Sequence, residues 1–287
     1  MPELPEVEIV KRSLKNKVNY KKIKKIIITN RDLRFKIQKN FEKLLEGRLI
    51  TNVSRFSKYI ILTLDNNNYC LIHLGMSGTL HLINYKKNEK ITNLSFYHSK
   101  NLPKKHNHIK IKFSNFMIIY NDPRRFGFFK ILNNKKELKK YFQRSGPEAI
   151  SSKFNFKYIK YKFINKKKNI KNFLLDQNFV SGIGNIYANE ILFYSKINPC
   201  KIAKKLSNKE IKKLAKYSKL VLNLAIKFGG SSIRDFKNVK GISGLFQNKF
   251  KVYDRENKYC HRKKCKGKII KIFISNRSSF FCKSCQK

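Results

Sequence analysis

The stretch YIILTLDNNNYCLIHLGMSGTLHLI at 59–83 decides the fold class of the first half of the chain. It contains three short runs rich in Ile, Leu and Tyr, which are typical of partly buried β-strands. DNNN and GMSG between the runs supply the small and polar residues that tight turns need. HIKIKF at 108–113 and FMIIY at 116–120 continue the pattern. The spacing therefore predicts an antiparallel β-sandwich.

Helical patterns flank this strand-rich segment. Apolar residues recur on one face over residues 5–18, so we expect an amphipathic helix there, with Glu6 and Glu8 in its first turn. After about residue 133 the sequence changes to Lys-rich helical segments. One of them opens with SNKE at 207–210, which has the spacing of a capping box. The whole pattern indicates an α+β protein.

Charge indicates the binding partner. The 287 residues carry 66 Lys+Arg against 17 Asp+Glu, and this formal net charge of +49 favours nucleic acid. An AT-rich genome is the alternative source of part of the Lys excess. No apolar run reaches the roughly 18 residues of a membrane span, and the start lacks the basic and apolar regions of a secretory signal. We therefore expect a cytoplasmic protein that does not interact with membranes.

The cysteine spacing predicts a metal site. Cys260, Cys265, Cys282 and Cys285 form the pattern C-x4-C, 16 residues, C-x2-C. The intervening segment can form a hairpin that brings both pairs around one tetrahedral Zn²⁺, with His261 as an alternative ligand to Cys260. The remaining cysteines, Cys70 and Cys200, stand alone, and we expect both to be small buried residues.

Three further motifs place unusual residues on turns or at helix starts. HLGMSG at 73–78 and NDPRRFGFF at 121–129 put Met, Arg and Phe on turns, where a basic protein can use them as wedges between bases. GIGNIYANE at 182–190 places glycines at a helix start, where backbone N–H groups can hold a phosphate. Finally, MPELPEVE at 1–8 places three of the scarce acids beside two prolines.

Together these motifs resemble a bacterial formamidopyrimidine-DNA glycosylase. The matching pieces are MPELPEVE, RFSKY (55–59), HLGMSG, NDPRRFG, GIGNIYANE and the closing cysteines, and they span nearly the whole chain in the family's order. The long first cysteine knuckle, CHRKKC, is the main departure from the family pattern. The resemblance implies a β-sandwich domain with flanking helices, then a helical domain with a helix–two-turn–helix, then a zinc-finger β-hairpin. We place these domains at 1–133, 154–250 and 251–287, with a linker at 134–153.

The resemblance also implies a bifunctional base-excision repair enzyme. After loss of Met1, the ring nitrogen of Pro2 would attack the sugar C1′ and form an iminium intermediate. Glu3 would protonate the sugar ring oxygen, Glu6 would help to hold the N-terminus, and Lys58 would contact the phosphate beside the lesion. The substrate would be double-stranded DNA that contains an oxidised purine, such as 8-oxoguanine or a formamidopyrimidine. Strand cleavage would then follow by β,δ-elimination.

DNA-binding roles are implied in the same way. The backbone clamp would consist of His73, Asn185, Tyr253 and Arg277. Met76, Arg124 and Phe126 would fill the space left by the extruded nucleotide, and Arg124 would favour cytosine as the opposite base. The segment 229–246 would close over the extruded base. We expect a monomer with one structural Zn²⁺, located in the bacterial cytoplasm and associated with the nucleoid through DNA binding.

Two alternatives remain open at the level of sequence. The first is an endonuclease VIII-type glycosylase for oxidised pyrimidines, against which the LPEVE start and the DPRRFG turn favour the purine branch. The second is a non-catalytic, zinc-stapled nucleic-acid binder. That alternative explains the charge and the cysteines, but it gives no reason for acids and prolines at the N-terminus.

Overall fold

The computed structural model describes residues 2–85, 90–91, 104–231 and 245–287. They divide into two compact units. One unit consists of residues 1–143 together with 228–247, and the other of residues 144–227 together with 248–287. Every helix in the described part of the chain is too short or too polar to cross a bilayer.

The first unit is built mainly from β-strands. Its helices are α1 (Leu4–Val18), α2 (Phe41–Leu45) and α3 (Lys135–Phe142). Its strands are β1 (Lys21–Lys22), β2 (Lys25–Ile28), β3 (Leu49–Phe56), β4 (Tyr59–Leu64), β5 (Tyr69–His73), β6 (Thr79–Asn84), β7 (Lys90–Ile91), β8 (Asn107–Lys112), β9 (Phe116–Asn121) and β10 (Phe128–Leu132). In the described residues they form two antiparallel sheets, of order β1-β3-β4-β5-β10 and β2-β8-β9-β6-β7.

The two sheets and α1 share one hydrophobic core. Val10 and Leu14 of α1 join Ile60 and Leu62 of one sheet and Ile118 of the other in a single buried cluster. The predicted sandwich is therefore confirmed, and the five strands expected from the sequence all form. The sequence reading missed β3 and β10. Polar residues interrupt the apolar pattern of LITNVSRF, and FFKIL follows directly on the turn motif NDPRRFG.

The second unit combines helices with a hairpin. It contains α4 (Phe156–Phe163), α5 (Ile170–Leu175), α6 (Asn185–Ser195) and α7 (Asn208–Lys227), followed by β11 (Ile269–Ile274) and β12 (Arg277–Cys282). The predicted capping box starts α7: the N–H of Ser207 donates to Glu210 Oε2 at 2.8 Å, and the N–H of Glu210 donates to Ser207 Oγ at 3.3 Å. The hairpin expected between the cysteine pairs is formed by β11 and β12.

The two cysteines outside the C-terminal cluster differ in burial. Cys70 on β5 is buried as expected, but the expectation for Cys200 is wrong because this residue is exposed. It lies in a turn after Pro199, where its N–H donates to Asn198 Oδ1 at 3.0 Å. A cysteine in such a turn has no apolar face to join.

Candidate functional site

The N-terminus of the first unit buries two carboxylates beside a proline. Pro2 precedes α1 and is buried, and Glu3 and Glu6 are each only 2% exposed. Glu6 Oε2 accepts the backbone N–H of Glu3 at 2.9 Å. The other oxygen, Oε1, accepts the N–H and the hydroxyl of Ser231 at 2.9 and 3.1 Å. One carboxylate thus ties the start of the chain to the beginning of the segment 229–246, of which residues 232–244 lie outside the described part of the structure.

Glu8 has a different environment from the other two acids. It lies beyond the first turn of α1, contrary to expectation, because the helix begins at Leu4. Its carboxylate accepts Lys11 Nζ and Arg12 Nε at 2.8 Å each, and Arg55 Nε at 2.9 Å. Burial by itself raises the pKa of Glu8, but the bonds from Lys11, Arg55 and Arg12 outweigh it and lower the pKa to about 2. Glu8 therefore stays ionised and serves as an ion-pair anchor.

Lys58 occupies the tight turn between β3 and β4. Ser57 and Lys58 connect Phe56 and Tyr59, the last pair of the β3–β4 ladder. Ser57 has a φ of +54°, and Lys58 is 6% exposed. The turn therefore holds a lysine side chain close to the protein body.

His73, at the end of β5, is a neutral hydrogen-bond donor. Burial, followed by the charges of Lys58 and Arg34, lowers the pKa of His73 to about 4. Its Nδ1 accepts the N–H of Gly75 at 3.1 Å, so the single proton of the neutral ring is on Nε2. The ring stacks on Phe128 with 5.3 Å between centroids. These contacts fix which nitrogen can donate to a ligand.

The three predicted wedge residues lie on two turns that touch each other. Met76 and Phe126 are 41% and 42% exposed, so both turns present apolar surface to solvent. The guanidinium of Arg124 lies over the Phe126 ring, 4.7 Å from its centroid. Gly75 has a φ of +63°, and a Cβ at that position would lie 2.3 Å from the carbonyl carbon of Phe126. Glycine is therefore required for the two turns to approach.

A buried aspartate that the sequence reading overlooked holds both turns together. Asp122 is 0% exposed and accepts hydrogen bonds from the Ser77 hydroxyl, from Tyr120 OH at 2.9 Å and from the Gly127 N–H at 2.8 Å. Burial and the Asp122 charge raise the pKa of Tyr120 well above its usual value, so this phenol remains a donor. The available signal was one acid between an apolar strand and a proline, in a chain with few acids.

In the second unit, the motif GIGNIYANE forms the start of α6 and anchors the strand β12 to this helix. Gly184 caps the helix, and the amide nitrogen of Asn185 donates to the carbonyl of Ser278 at 3.1 Å. Asn189 Oδ1 accepts the N–H of Phe280 at 2.7 Å. Both contacts hold β12, the strand that begins with the exposed Arg277. The sequence reading assigned only Asn185 a role and missed Asn189.

Glu190, in the same motif, places Tyr253. It is 0% exposed, and it accepts the backbone N–H groups of Lys251, Val252 and Tyr253 at 2.9–3.1 Å. Burial raises the pKa of Glu190, although these N–H groups oppose the effect. A buried acid in a very basic chain was again the available signal. The predicted DNA contacts Asn185, Tyr253 and Arg277 are thus joined through α6.

The four C-terminal cysteines form a cluster that fits a tetrahedral metal ion. Their Sγ atoms all lie within 4.8 Å of one another, with separations of 3.5 Å for Cys260–Cys285, 3.7 Å for Cys265–Cys282 and 3.8 Å for Cys265–Cys285. Zinc–sulfur bonds of about 2.3 Å in a tetrahedron give sulfur separations of about 3.8 Å. The cysteines are free thiols rather than disulfides.

The long first knuckle accommodates its extra residues without disturbing this cluster. His261 is exposed, and its Nδ1 lies 3.3 Å from Arg255 Nη1. The cluster therefore contains Cys260, and the alternative of His261 as ligand is wrong for this structure. Arg262 instead reaches α6, where its guanidinium covers the Phe193 ring at 4.3 Å and donates to the Phe193 carbonyl.

Comparison with known proteins shows the family of this chain. Residues 1–129 match the family model of the formamidopyrimidine-DNA glycosylase N-terminal domain, and residues 145–237 match that of the formamidopyrimidine-DNA glycosylase H2TH domain. A formamidopyrimidine-DNA glycosylase from Wolbachia sp. subsp. Drosophila simulans is 40% identical over 287 residues, with both chains fully covered. One from Legionella pneumophila is 38% identical and covers 100% of this chain and 98% of its own.

Solved structures give the same result. A Lactococcus lactis FPG mutant in complex with Fapy-dG DNA has a TM-score of 0.88 and 32% identity, with full coverage of both chains. The Lactococcus lactis Fpg in complex with abasic-site DNA has a TM-score of 0.86 and 32% identity, with 99% of each chain covered. The fold is therefore that of a DNA glycosylase. The chain belongs to the formamidopyrimidine-DNA glycosylase family, whose members combine glycosylase and abasic-site lyase activities.

Proposed function

We propose that the protein removes oxidised purines, such as 8-oxoguanine and formamidopyrimidines, from double-stranded DNA and then cleaves the abasic strand. The observation that carries this proposal is the buried pair Glu3 and Glu6 beside Pro2, in a chain with a net charge of +49. Glu3 and Glu6 also form the capping box of α1, but in a protein that only binds DNA an uncharged Ser or Thr with Gln would cap this helix as well. An enzyme that forms a covalent bond to the sugar needs an acid and an organised amine there.

Pro2 is the nucleophile in this proposal. Removal of Met1 turns its ring nitrogen into a secondary α-amine, and an α-amine with a pKa of about 7.7–8.0 is roughly a tenth neutral at pH 7. The nitrogen attacks C1′ while the bond from C1′ to the damaged base breaks, and the base leaves with the bonding electrons and takes up a proton. The attached nitrogen then loses its proton, Glu3 protonates the sugar ring oxygen, and the C1′–O4′ bond breaks, which opens the sugar ring and leaves an iminium at C1′. Glu6 holds the backbone of Glu3 through its 2.9 Å bond.

The resulting iminium drives strand cleavage. It carries a permanent positive charge, because a secondary amine cannot give a neutral imine, and this charge acidifies the C2′ protons. Loss of a C2′ proton expels the 3′ phosphate, which is β-elimination. A second proton loss, from C4′, expels the 5′ phosphate, and hydrolysis of the remaining iminium regenerates the amine.

Five of the other predicted residues bind DNA phosphates in this proposal. Lys58 and His73 of the first unit bind phosphates near the lesion, the latter through its Nε2–H. Asn185, Tyr253 and Arg277 bind phosphates from the second unit, with Arg277 displayed by the turn Ser275–Asn276, whose φ values of +49° and +58° are those of a tight hairpin turn.

The wedge fills the space that the extruded nucleotide leaves. The exposed Met76 and Phe126 supply apolar surface, and they offset part of the few kcal/mol that unstacking costs. Arg124, held over Phe126, has donors only and so favours the acceptors of an opposite cytosine.

One structural Zn²⁺ completes the second unit. Cys260, Cys265, Cys282 and Cys285 would hold it as thiolates, and the bound ion would fix the hairpin without entering the reaction. All of the proposed groups come from a single chain, so we propose that a monomer acts, on chromosomal DNA in a bacterial cytoplasm. We propose domain boundaries at 1–133 for the β-sandwich domain, 154–250 for the helix–two-turn–helix domain and 251–287 for the zinc finger, with a linker at 134–153.

A paired-substrate assay tests this function. Excision of 8-oxoguanine and of thymine glycol from otherwise identical duplexes is measured for the mature protein and for a variant with Gly-Ser placed before Pro2. We expect preferential excision of the purine and no excision by the extended variant, with DNA affinity retained. Preference for the pyrimidine would support the endonuclease VIII-type alternative. Binding without excision by either form would support the non-catalytic alternative.

A further inference from the structure

The turn that carries Lys58 has a backbone conformation that its sequence does not favour. Ser57 has a φ of +54°, in the left-handed region that residues with a Cβ rarely adopt. It is also 4% exposed, so solvent does not stabilise its polar groups. Some neighbouring contact must therefore hold this residue in place, and with it the direction of Lys58.

Arg55 makes a contact of this kind. Its Nη1 donates to the carbonyl oxygen of Ser57 at 2.8 Å, and its side chain is only 5% exposed. Arg55 lies two residues before Ser57, and its guanidinium binds the Ser57 carbonyl while Ser57 has its positive φ. The hydrogen bond therefore favours this conformation over the extended one that serine prefers.

Glu8 in turn fixes Arg55. Its Oε2 accepts Arg55 Nε at 2.9 Å, while its Oε1 is occupied by Lys11 and Arg12. Because a guanidinium is planar and its donors have fixed directions, a carboxylate on Nε also sets the direction of Nη1. Glu8 stands on α1, the helix whose first turn contains Glu6. A chain of contacts thus runs from the helix after Pro2 to the carbonyl beside Lys58.

We propose that Glu8 and Arg55 are positioning residues, which hold Lys58 towards a DNA phosphate by keeping Ser57 in the left-handed turn. The inference rests on the phosphate contact proposed above for Lys58. In this proposal α1 positions two groups: the nucleophile Pro2, through Glu6, and the phosphate contact Lys58, through Glu8. Neither Glu8 nor Arg55 needs to touch DNA.

The salt dependence of DNA binding tests this role. Each phosphate contact contributes about 0.9 to the slope of log affinity against log salt, so losing one lowers the ratio of Kd at about 200 mM salt to Kd at about 50 mM by about 3.5-fold. We expect Lys58→Ala, Arg55→Met and Glu8→Ala each to lower the ratio by this factor. Combining Arg55→Met with Lys58→Ala should lower it no further, because both remove the same contact.

Rescue by glycine separates positioning from a general effect on folding. Glycine adopts a φ of +54° readily, so Arg55→Met combined with Ser57→Gly should restore the wild-type ratio. Arg12→Met is the matched control, because Arg12 also pairs with Glu8 but its side chain is 59% exposed. It should leave the ratio unchanged. Thermal unfolding confirms that each variant is folded, and Arg55→Lys replaces Arg55→Met if the latter does not fold.

The outcomes are distinguishable. If Lys58→Ala lowers the ratio while folded Arg55 and Glu8 variants keep the wild-type value, the positioning role is contradicted and the phosphate contact of Lys58 stands. Failure of Ser57→Gly to restore the ratio also contradicts the positioning role. If Lys58→Ala itself leaves the ratio unchanged, the proposed phosphate contact is wrong and the positioning role falls with it.

Discussion

Glu6 and Ser231 are joined by two hydrogen bonds to a single carboxylate oxygen, although 225 residues separate them in the chain. The second oxygen of the same carboxylate holds the backbone N–H of Glu3. Gly230, beside Ser231, has a φ of +82°, and a Cβ there would lie 3.1 Å from Glu6 Oε1. The carboxylate therefore needs both oxygens as acceptors and a glycine next to its partner.

Replacing Glu6 with Gln should slow covalent trapping. A glutamine keeps one acceptor but presents an NH₂ group to a buried N–H donor, and an unmet buried donor costs about 1–3 kcal/mol, or roughly 5- to 150-fold. The measurement is the single-turnover rate of borohydride-trapped adduct formation. Ser231→Ala, which removes one of the three donors, is the graded control and should cost less. An unchanged rate in Glu6→Gln would show that the carboxylate does not organise the nucleophile.

Replacing Asp122 with Asn should loosen both wedge turns at once. Four donors converge on this carboxylate, from Ser77, Tyr120, Gly127 and the backbone N–H of Arg124, and an amide cannot accept from all of them. We expect a loss of unfolding free energy on the order of 3 kcal/mol, measured by urea denaturation. The exposed Asp65, which accepts the Leu49 N–H at 3.1 Å, provides the control Asp65→Asn. Equal effects of the two substitutions would contradict the role given to Asp122.

Replacing Arg124 with Ala should weaken discrimination between cytosine and adenine opposite 8-oxoguanine. Cytosine presents two adjacent acceptors, O2 and N3, on its pairing edge, so a guanidinium can donate to both, whereas adenine presents only the single acceptor N1 there. An unmet buried hydrogen bond of about 1–3 kcal/mol predicts a preference of roughly 5- to 150-fold that the variant loses. Excision rates for both pairings at one salt concentration give the answer. Arg125→Ala is the neighbouring control, and an equal loss on both pairings in Arg124→Ala would mean a phosphate contact.

Metal analysis should find one zinc per chain. Cys282→Ser should release the zinc and abolish DNA binding while the first unit stays folded. The hydrophobic core of the hairpin, around Val252, Ile269 and Phe280, is small, so the hairpin needs the metal to stay folded. Cys200→Ser should retain the metal, since Cys200 is exposed and lies outside the cluster. Active protein that contains no zinc would overturn this prediction.

Local patterns made much of the fold predictable. The β4–β6 strands and the capping box of α7 follow from short-range periodicity and residue spacing, and the structure places them as expected. The cysteine cluster was predictable for a related reason, because two close pairs around a hairpin leave few arrangements. These features depend on residues that are near one another in sequence.

Features that depend on distant partners could not be predicted in this way. Asp122 accepts a hydrogen bond from Ser77, which lies 45 residues earlier in the chain. Glu190 binds backbone groups 61–63 residues away. The left-handed conformation of Ser57 is likewise invisible in RFSKY, since serine has no preference for it. Each was marked only by a polar residue in an unexpected place.

The identity of the trapped residue tests the central claim most directly. Borohydride added during reaction with an 8-oxoguanine duplex should reduce the iminium and lock the protein to DNA, and peptide mapping of the adduct should place it on the nitrogen of Pro2. Blocking that nitrogen with an N-terminal extension should abolish the adduct. An adduct on Lys58, or an undiminished adduct in the extended protein, would contradict the account.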